Sequence, residues 1–186
     1  MIEVSAETIE RVEALLAGVP KGAERALSNA MNRGLSKMKT GAAKKVREVY
    51  AVQSSAINEA TNTRIQKAST GNLAGYIHIS GCTIPIYKFK VTPKAPGIRK
   101  QVTAAVKKGG GTAFENAFIA QMKSGHIGVF ERETSKRFPI EEKMGLAMAQ
   151  MVGNLDVMAE LEKEAQKTVD ERIVHEIDRL LNGYGG

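Results

Sequence analysis

The sequence AFIAQMKSGHIGVFERETSKRFPI, residues 117–140, decides the fold of this chain. Phe118, Ala120 and Met122 occupy every second position and alternate with Ile119, Gln121 and Lys123, as side chains do in a strand. Ile127 and Val129 repeat this spacing in a second strand. The Ser-Gly pair at 124–125 predicts a turn between these strands, and the polar residues 134–136 predict another. The segment is therefore predicted to form a compact strand meander.

Helical patterns lie on both sides of this meander. Ser5 is placed to cap a short helix, and residues 21–50 repeat apolar side chains every three or four positions, as in a long amphipathic helix. Residues 54–60 favour another short helix, and Asn154 is placed to cap a final one that extends from Leu155 to about Leu181.

Strand signals occupy the middle of the chain. Residues 83–91 and 97–106 are predicted as strands, while the run KKGGGT at 107–112 predicts a flexible loop. Pro85, Pro93 and Pro96 lack the backbone N–H that a sheet needs and favour strand ends or edges.

These patterns predict an α+β protein with a single domain, in which long N- and C-terminal helices flank a mostly antiparallel β-sheet. Residues 1–62 are predicted to be helical, 63–140 to form the sheet and 141–186 to be helical. A chain of 186 residues is long enough to fold as one ordinary domain.

Composition excludes several classes of protein. No apolar run approaches the roughly 20 residues that a membrane span requires, and the N-terminus is acidic, unlike a secretory signal. The single cysteine, Cys82, excludes an intramolecular disulfide and indicates synthesis in a reducing cytoplasm. Aromatic residues make up only 5% of the chain, which disfavours a module that reads nucleic-acid bases by stacking.

Charge is divided unevenly along the chain. Residues 1–110 hold 18 Lys and Arg against 7 Asp and Glu, whereas residues 111–186 hold 9 against 13. No acidic residue occurs between Glu59 and Glu115. One interpretation is that lysines on strand edges discourage aggregation. The other is a surface that contacts DNA or an acidic ring of partner proteins, for which the candidate residues are Lys88, Lys90, Lys94, Arg99, Lys100, Lys107 and Lys108.

No combination of residues predicts catalysis. His78, His126, His175 and Cys82 are not spaced as metal ligands, and no cofactor site is predicted. The three glycines at 109–111 lack the strand-then-helix context of a nucleotide-binding loop. A nuclease built from acidic residues of the C-terminal helix is the remaining enzymatic alternative, although their helical spacing spreads them around the helix.

The meander resembles the minor tail protein Z family of tailed phages, the lambda-type tail-completion proteins. The family pattern is matched at Ala117, Phe118, Ile119, Gln121, Lys123, Gly125, Arg132, Arg137, Phe138, Pro139 and Ile140. Nearly the whole chain takes part, including the Val19-Pro20 that precedes the long helix.

The resemblance implies a structural, non-enzymatic protein that forms a ring, with six copies expected, at the head-proximal end of the tail. It would complete the tail, support head-tail joining and position the genome end for ejection. Implied partners are other copies of the chain, the tail terminator or tail tube protein, the head-tail connector proteins and the end of the genomic DNA, with no membrane. The alternative is a sequence-independent DNA-binding protein that acts in packaging or condensation.

Overall fold

The computed structural model describes residues 4–98 and 100–183. In this part of the chain, helices occupy the two ends and strands occupy most of the middle. The helices are α1 (Ala6–Leu15), α2 (Gly22–Val49), α3 (Ser54–Ala60), α4 (Met148–Val152) and α5 (Leu155–Leu181).

The strands are short. They are β1 (Thr61–Gln66), β2 (Tyr76–Gly81), β3 (Thr83–Pro85), β4 (Lys90–Thr92), β5 (Val102–Ala105), β6 (Thr112–Phe114), β7 (Ala117–Gln121), β8 (Ile127–Arg132), β9 (Ile140–Glu142) and β10 (Met144–Ala147). The predicted α+β class, with long helices and antiparallel strand pairing, is confirmed.

The strands form small sheets and not the one sheet that the sequence suggested. Among the described residues, β1 pairs with β2, β3 with β10, β4–β5–β6 form one three-stranded sheet and β7–β8–β9 form another. The pairing is antiparallel in both three-stranded sheets and between β3 and β10.

The chain divides into two compact units. Of the described residues, the helical unit contains 4–42, 63–78 and 155–183, and the sheet unit contains 43–62, 79–98 and 100–154. That the whole chain behaves as a single domain stays a prediction.

Apolar side chains of three helices build the core of the helical unit. Ser5 caps α1 as predicted, because its hydroxyl accepts a hydrogen bond of 3.2 Å from the backbone N–H of Thr8. The buried residues of this core are Val12, Leu16, Ala26, Leu27, Ala30, Val169, Ile173 and Leu180. The apolar positions whose helical spacing predicted α1, α2 and α5 therefore include the residues that these helices bury.

The predicted meander forms the β7–β8–β9 sheet of the sheet unit. Phe118 lies opposite Phe130 in the β7–β8 pair, and Phe130 lies opposite Glu142 in the β8–β9 pair. Gly125 adopts a φ of +85° in the turn between β7 and β8, a conformation that glycine reaches without strain. The opposite face of the meander joins a core formed by Ile86, Val91, Val102, Ala104, Ile119 and Val129.

Three predicted boundaries were wrong. The strand predicted over 83–91 is interrupted by a 3-10 turn at Ile86–Lys88, where the N–H of Phe89 bonds to the carbonyl of Ile86 at 3.0 Å. Pro85, just before that turn, cannot donate a ladder hydrogen bond. The strand predicted over 97–106 is shorter and covers only Val102–Ala105. The region predicted to be helical from residue 141 begins with strand, which continues to Ala147 because β9 pairs with β8 and β10 pairs with β3.

Candidate partner-binding surface

The β4–β5–β6 sheet positions the candidate lysines. Lys90 lies opposite Ala105, and Val91 lies opposite Ala104. Since Val91 and Ala104 are each 2% exposed and successive side chains point to opposite faces, the exposed Lys90 points away from the core.

The predicted contact residues lie in two groups at opposite ends of the sheet, because β4 and β5 are antiparallel. Lys88 and Lys90 lie at the end of the sheet where β5 leads into the loop that carries Lys107 and Lys108. The loop that joins β4 to β5 at the opposite end carries Lys94 and Lys100, and the seventh candidate, Arg99, lies outside the described residues. Three-residue strands separate the two ends by about 10 Å. The predicted surface therefore consists of two basic ends of one sheet.

The end of α2 joins the first of these groups, which the sequence did not indicate. The N–H of Lys108 bonds to the carbonyl of Val49 at 2.9 Å, and the N–H of Ala51 bonds to the carbonyl of Val106 at 2.9 Å. The ammonium of Lys107 lies 5.9 Å from the centroid of the buried Tyr50 ring, within cation–π range. The exposed Arg47 lies in the last turn of the same helix.

The lysines of this sheet are not neutralised within the described part of the chain. None of the six described candidates takes part in an ion pair there. Lys88 is half-buried, and the other five are exposed. By contrast, Lys143 in the same unit pairs with Glu131, and the hydrogen bond to Glu131 outweighs partial burial and raises the pKa of Lys143. The sheet therefore presents uncompensated positive charge to solvent.

The residues of the predicted family pattern take two different positions. Ile119 is buried in the core and Gly125 forms the turn, so these two serve the fold. Phe118 is half-buried, with its ring 6.3 Å from Phe130 and 4.8 Å from the guanidinium carbon of Arg132. The remaining positions, partly or fully exposed at the strands and turns, are Ala117, Gln121, Lys123, Arg137, Phe138, Pro139 and Ile140.

Phe138 stands out among the exposed positions of the pattern. Its ring is 62% exposed, and the guanidinium carbon of Arg137 lies 5.6 Å from the ring centroid. Phenylalanine and arginine are both enriched at protein–protein interfaces relative to the rest of the surface. The loop between β8 and β9 thus carries a second candidate contact.

A polar pair covers the outer face of the meander and was not anticipated. His126 Nε2 lies 2.8 Å from Glu142 Oε1, and the His126 ring meets Phe130 edge to face at 6.3 Å. Gly128 makes room for this arrangement, because a Cβ there would lie 2.4 Å from Glu142 Oε1. These residues come together only through the strand register, which local sequence does not specify.

Residues 4–98 and 100–183 show no group of three or more His, Cys, Asp or Glu side chains arranged to hold a metal ion. Cys82 is exposed. Within these same ranges, no helix combines the length and apolar character that crossing a membrane needs.

The family model described as prophage minor tail protein Z matches residues 8–184 of this chain. The chain belongs to the prophage minor tail protein Z family. No curated protein and no solved structure matches it. The resemblance that the meander suggested is therefore confirmed.

Membership in the minor tail protein Z family assigns the chain a structural role in a phage tail. Its place is the tail of the virion, among other tail components. The matched region begins within α1 and extends past the end of α5, so it covers residues of both the helical unit and the sheet unit.

Proposed function

We propose that this minor tail protein Z completes the tail at its head-proximal end. Identical copies close into a ring coaxial with the tail, with six copies expected from the symmetry of a tail. The ring finishes the tail and supports head-tail joining, so that the end of the genome is placed for ejection. The observation that supports this proposal is the family match over residues 8–184.

The mechanism is geometric and makes or breaks no covalent bond. Heterologous contacts, in which one surface of a subunit binds a different surface of the next identical subunit, generate a closed ring when the rotation between neighbours is a whole fraction of a turn. Each subunit then repeats the same surface around the tail axis, so a modest charge on one sheet becomes a continuous ring of charge. The expected neighbours are the tail terminator or tail tube protein on one side and the head-tail connector proteins on the other.

The two basic ends of the β4–β5–β6 sheet are proposed to face the anionic neighbour. That neighbour is either an acidic protein ring or the genomic DNA. Support comes from the exposure of Lys90, Lys94, Lys100, Lys107 and Lys108 and from their lack of ion pairs in the described part of the chain. Complementary charge across such an interface fixes register and speeds association.

A second candidate function is sequence-independent DNA binding in packaging or condensation. The same uncompensated lysines favour it, because contacts to phosphates need no base recognition. The two candidates differ in what the free subunit does. An assembly protein binds weakly alone and gains strength from the ring, whereas a packaging protein binds duplex DNA tightly as a single subunit.

Complementation of a phage that lacks this gene product tests the proposal. Lys88, Lys90, Lys107 and Lys108 are replaced together by glutamate, and the control replaces Lys39 and Lys163, which are exposed in the helical unit. We expect the four-lysine variant to fold but to leave tails that do not join heads, as counted by electron microscopy. The control should restore plaque formation. Normal particle yield with the four-lysine variant would refute the proposed surface.

A further inference from the structure

A polar groove lies between α2 and α5 in the helical unit. It consists of two adjoining cavities of about 510 Å³ and 550 Å³, which share Arg33, Ser36 and Arg172 in their walls. Along α2 the walls extend from Asn29 to Thr40, which corresponds to roughly 16 Å of helix. The groove is thus long enough for an elongated or multiply charged ligand.

A buried carboxylate fixes two of the arginines in this groove. Glu176 is 0% exposed. Arg179 donates from Nε and Nη2 to Glu176 Oε2 at 3.1 Å and 2.8 Å, and Arg172 Nη2 lies 2.5 Å from Oε1. The two guanidinium groups are partly exposed, at 37% for Arg172 and 34% for Arg179. Each guanidinium carries five N–H donors, so each keeps donors that Glu176 does not use.

Two further cations line the same cavity. Arg33 on α2 and Lys67 after β1 are exposed, and neither takes part in an ion pair within residues 4–98 and 100–183. This cavity therefore gathers four cationic side chains around one carboxylate, Glu176. The excess of positive charge is large for one cavity, since surface charges of opposite sign are ordinarily interspersed.

The other cavity is closer to electrical balance. Two ion pairs neutralise charges in its wall: Lys37 Nζ lies 3.8 Å from Glu164 Oε2, and Lys167 Nζ lies 3.8 Å from Glu171 Oε1. The hydroxyls of Ser36, Thr40 and Thr168 donate to backbone carbonyls of their own helices and are already engaged. Donors for a bound anion therefore come from the cavity that contains Lys67 and Arg179.

We infer that this groove binds a phosphate group, held by Arg33, Lys67 and the remaining N–H donors of Arg172 and Arg179. A phosphate offers at least two acceptor oxygens that can each take several hydrogen bonds, and guanidinium forks match that geometry. A single carboxylate would use fewer of the donors that four cationic side chains present. The phosphate comes either from free inorganic or condensed phosphate or from the backbone of a nucleic acid. The site lies in the helical unit and does not depend on the proposed role of the sheet lysines.

Titration calorimetry of the purified chain at constant ionic strength tests this inference. The probes are inorganic phosphate, tripolyphosphate and a short single-stranded oligonucleotide, with poly-glutamate as the carboxylate comparison. The test variant carries Arg33→Gln and Lys67→Gln. The matched control carries Lys39→Gln and Lys163→Gln, which remove the same charge from exposed positions outside both cavities.

We expect the test variant to bind tripolyphosphate or the oligonucleotide about tenfold more weakly than the unmodified chain, and the control to change by less than about twofold. Binding of phosphate and tripolyphosphate supports the free-phosphate source, and binding of the oligonucleotide alone supports the nucleic-acid source. Circular dichroism verifies that both variants are folded. The inference is overturned if no phosphate probe binds, if poly-glutamate binds as tightly as the phosphate probes, or if both variants lose affinity equally.

Discussion

The side-chain amide of Asn29 on α2 donates a hydrogen bond of 3.1 Å to Glu176 Oε2 on α5. Burial by itself raises the pKa of the Glu176 carboxyl, but the Asn29 hydrogen bond and the charges of Arg172 and Arg179 outweigh burial and hold that pKa below its ordinary value. The carboxylate is therefore charged in the folded protein. It connects two helices whose contacting residues lie 147 positions apart in sequence.

The stability of the chain should depend on pH through Glu176. Because the folded-state pKa of its carboxyl is lowered, the contribution of Glu176 is fully present above the unfolded-state pKa and is lost as the pH falls through the folded-state pKa. Urea unfolding from pH 7 to pH 3 measures this loss. Glu176→Gln should make the dependence on pH shallower, and an unchanged slope would show that Glu176 does not contribute.

Replacing Asn29 by alanine should lower the free energy of unfolding by roughly 1 to 2 kcal/mol, because Glu176 Oε2 loses a neutral donor but keeps Arg179. Ser28→Ala is the control, since the Ser28 hydroxyl donates only to the carbonyl of Arg25 in its own helix. Ser28 is buried, but its hydroxyl bonds only within its own helix and alanine is the better helix former, so the control should lose clearly less free energy of unfolding than Asn29→Ala. Equal losses in both variants would contradict a specific role for the link between α2 and α5.

Phe118→Ala should destabilise the chain by roughly 2 to 3 kcal/mol, less than the loss of a fully buried phenylalanine, because Phe118 is only half-buried. The lost contacts are those to Phe130 and Arg132. Phe138→Ala removes the same side chain from a position that is 62% exposed, and its melting temperature should stay close to that of the unmodified chain. A stability loss at Phe138 as large as that at Phe118 would show that the exposed loop belongs to the core.

Gly128→Ala should cost about 1 to 3 kcal/mol, because the new methyl group would lie 2.4 Å from Glu142 Oε1 and 2.9 Å from Phe130 Cζ. Gly111→Ala is the control, since nothing lies within 4 Å of a Cβ at that glycine. Adding Glu142→Ala to the unmodified chain and to the Gly128→Ala variant completes a double-mutant cycle. The cost of Gly128→Ala should be smaller in the Glu142→Ala background, and strict additivity would show that Glu142 is not the neighbour that crowds this position.

If DNA is the anion that meets the β4–β5–β6 sheet, the logarithm of the binding constant for duplex DNA should fall linearly with the logarithm of salt concentration. Removing four lysines that each contact a phosphate, Lys88, Lys90, Lys107 and Lys108, should make that slope shallower by roughly 3.6. A filter-binding series from low to physiological salt measures it. A slope that does not change would assign these lysines to a protein neighbour.

Local patterns were enough to predict the elements that local physics determines. Ser5 caps α1 as predicted, α5 begins at Leu155 and ends at Leu181 as its apolar periodicity indicated, and the turn at Gly125 joins two strands as the meander required. In each case a cap, a period or a turn residue acts within a few positions of itself.

The arrangement of the site depends on partners that are distant in sequence, which local patterns do not contain. Lys107 lies near Tyr50 because β5 leads back to the end of α2, and the six described candidates divide between two ends of the sheet because β4 and β5 are antiparallel. Glu176 was predicted neither as buried nor as paired, since a glutamate between apolar positions of a helix is ordinarily exposed.

A density map of the neck of an intact virion tests the central claim most directly. The proposal predicts a closed ring of this chain at the head-proximal end of the tail, with Lys90 and the loop that carries Lys107 and Lys108 facing DNA or an acidic protein. A neck that lacks this polypeptide, or a ring whose lysines face only bulk solvent, would contradict it.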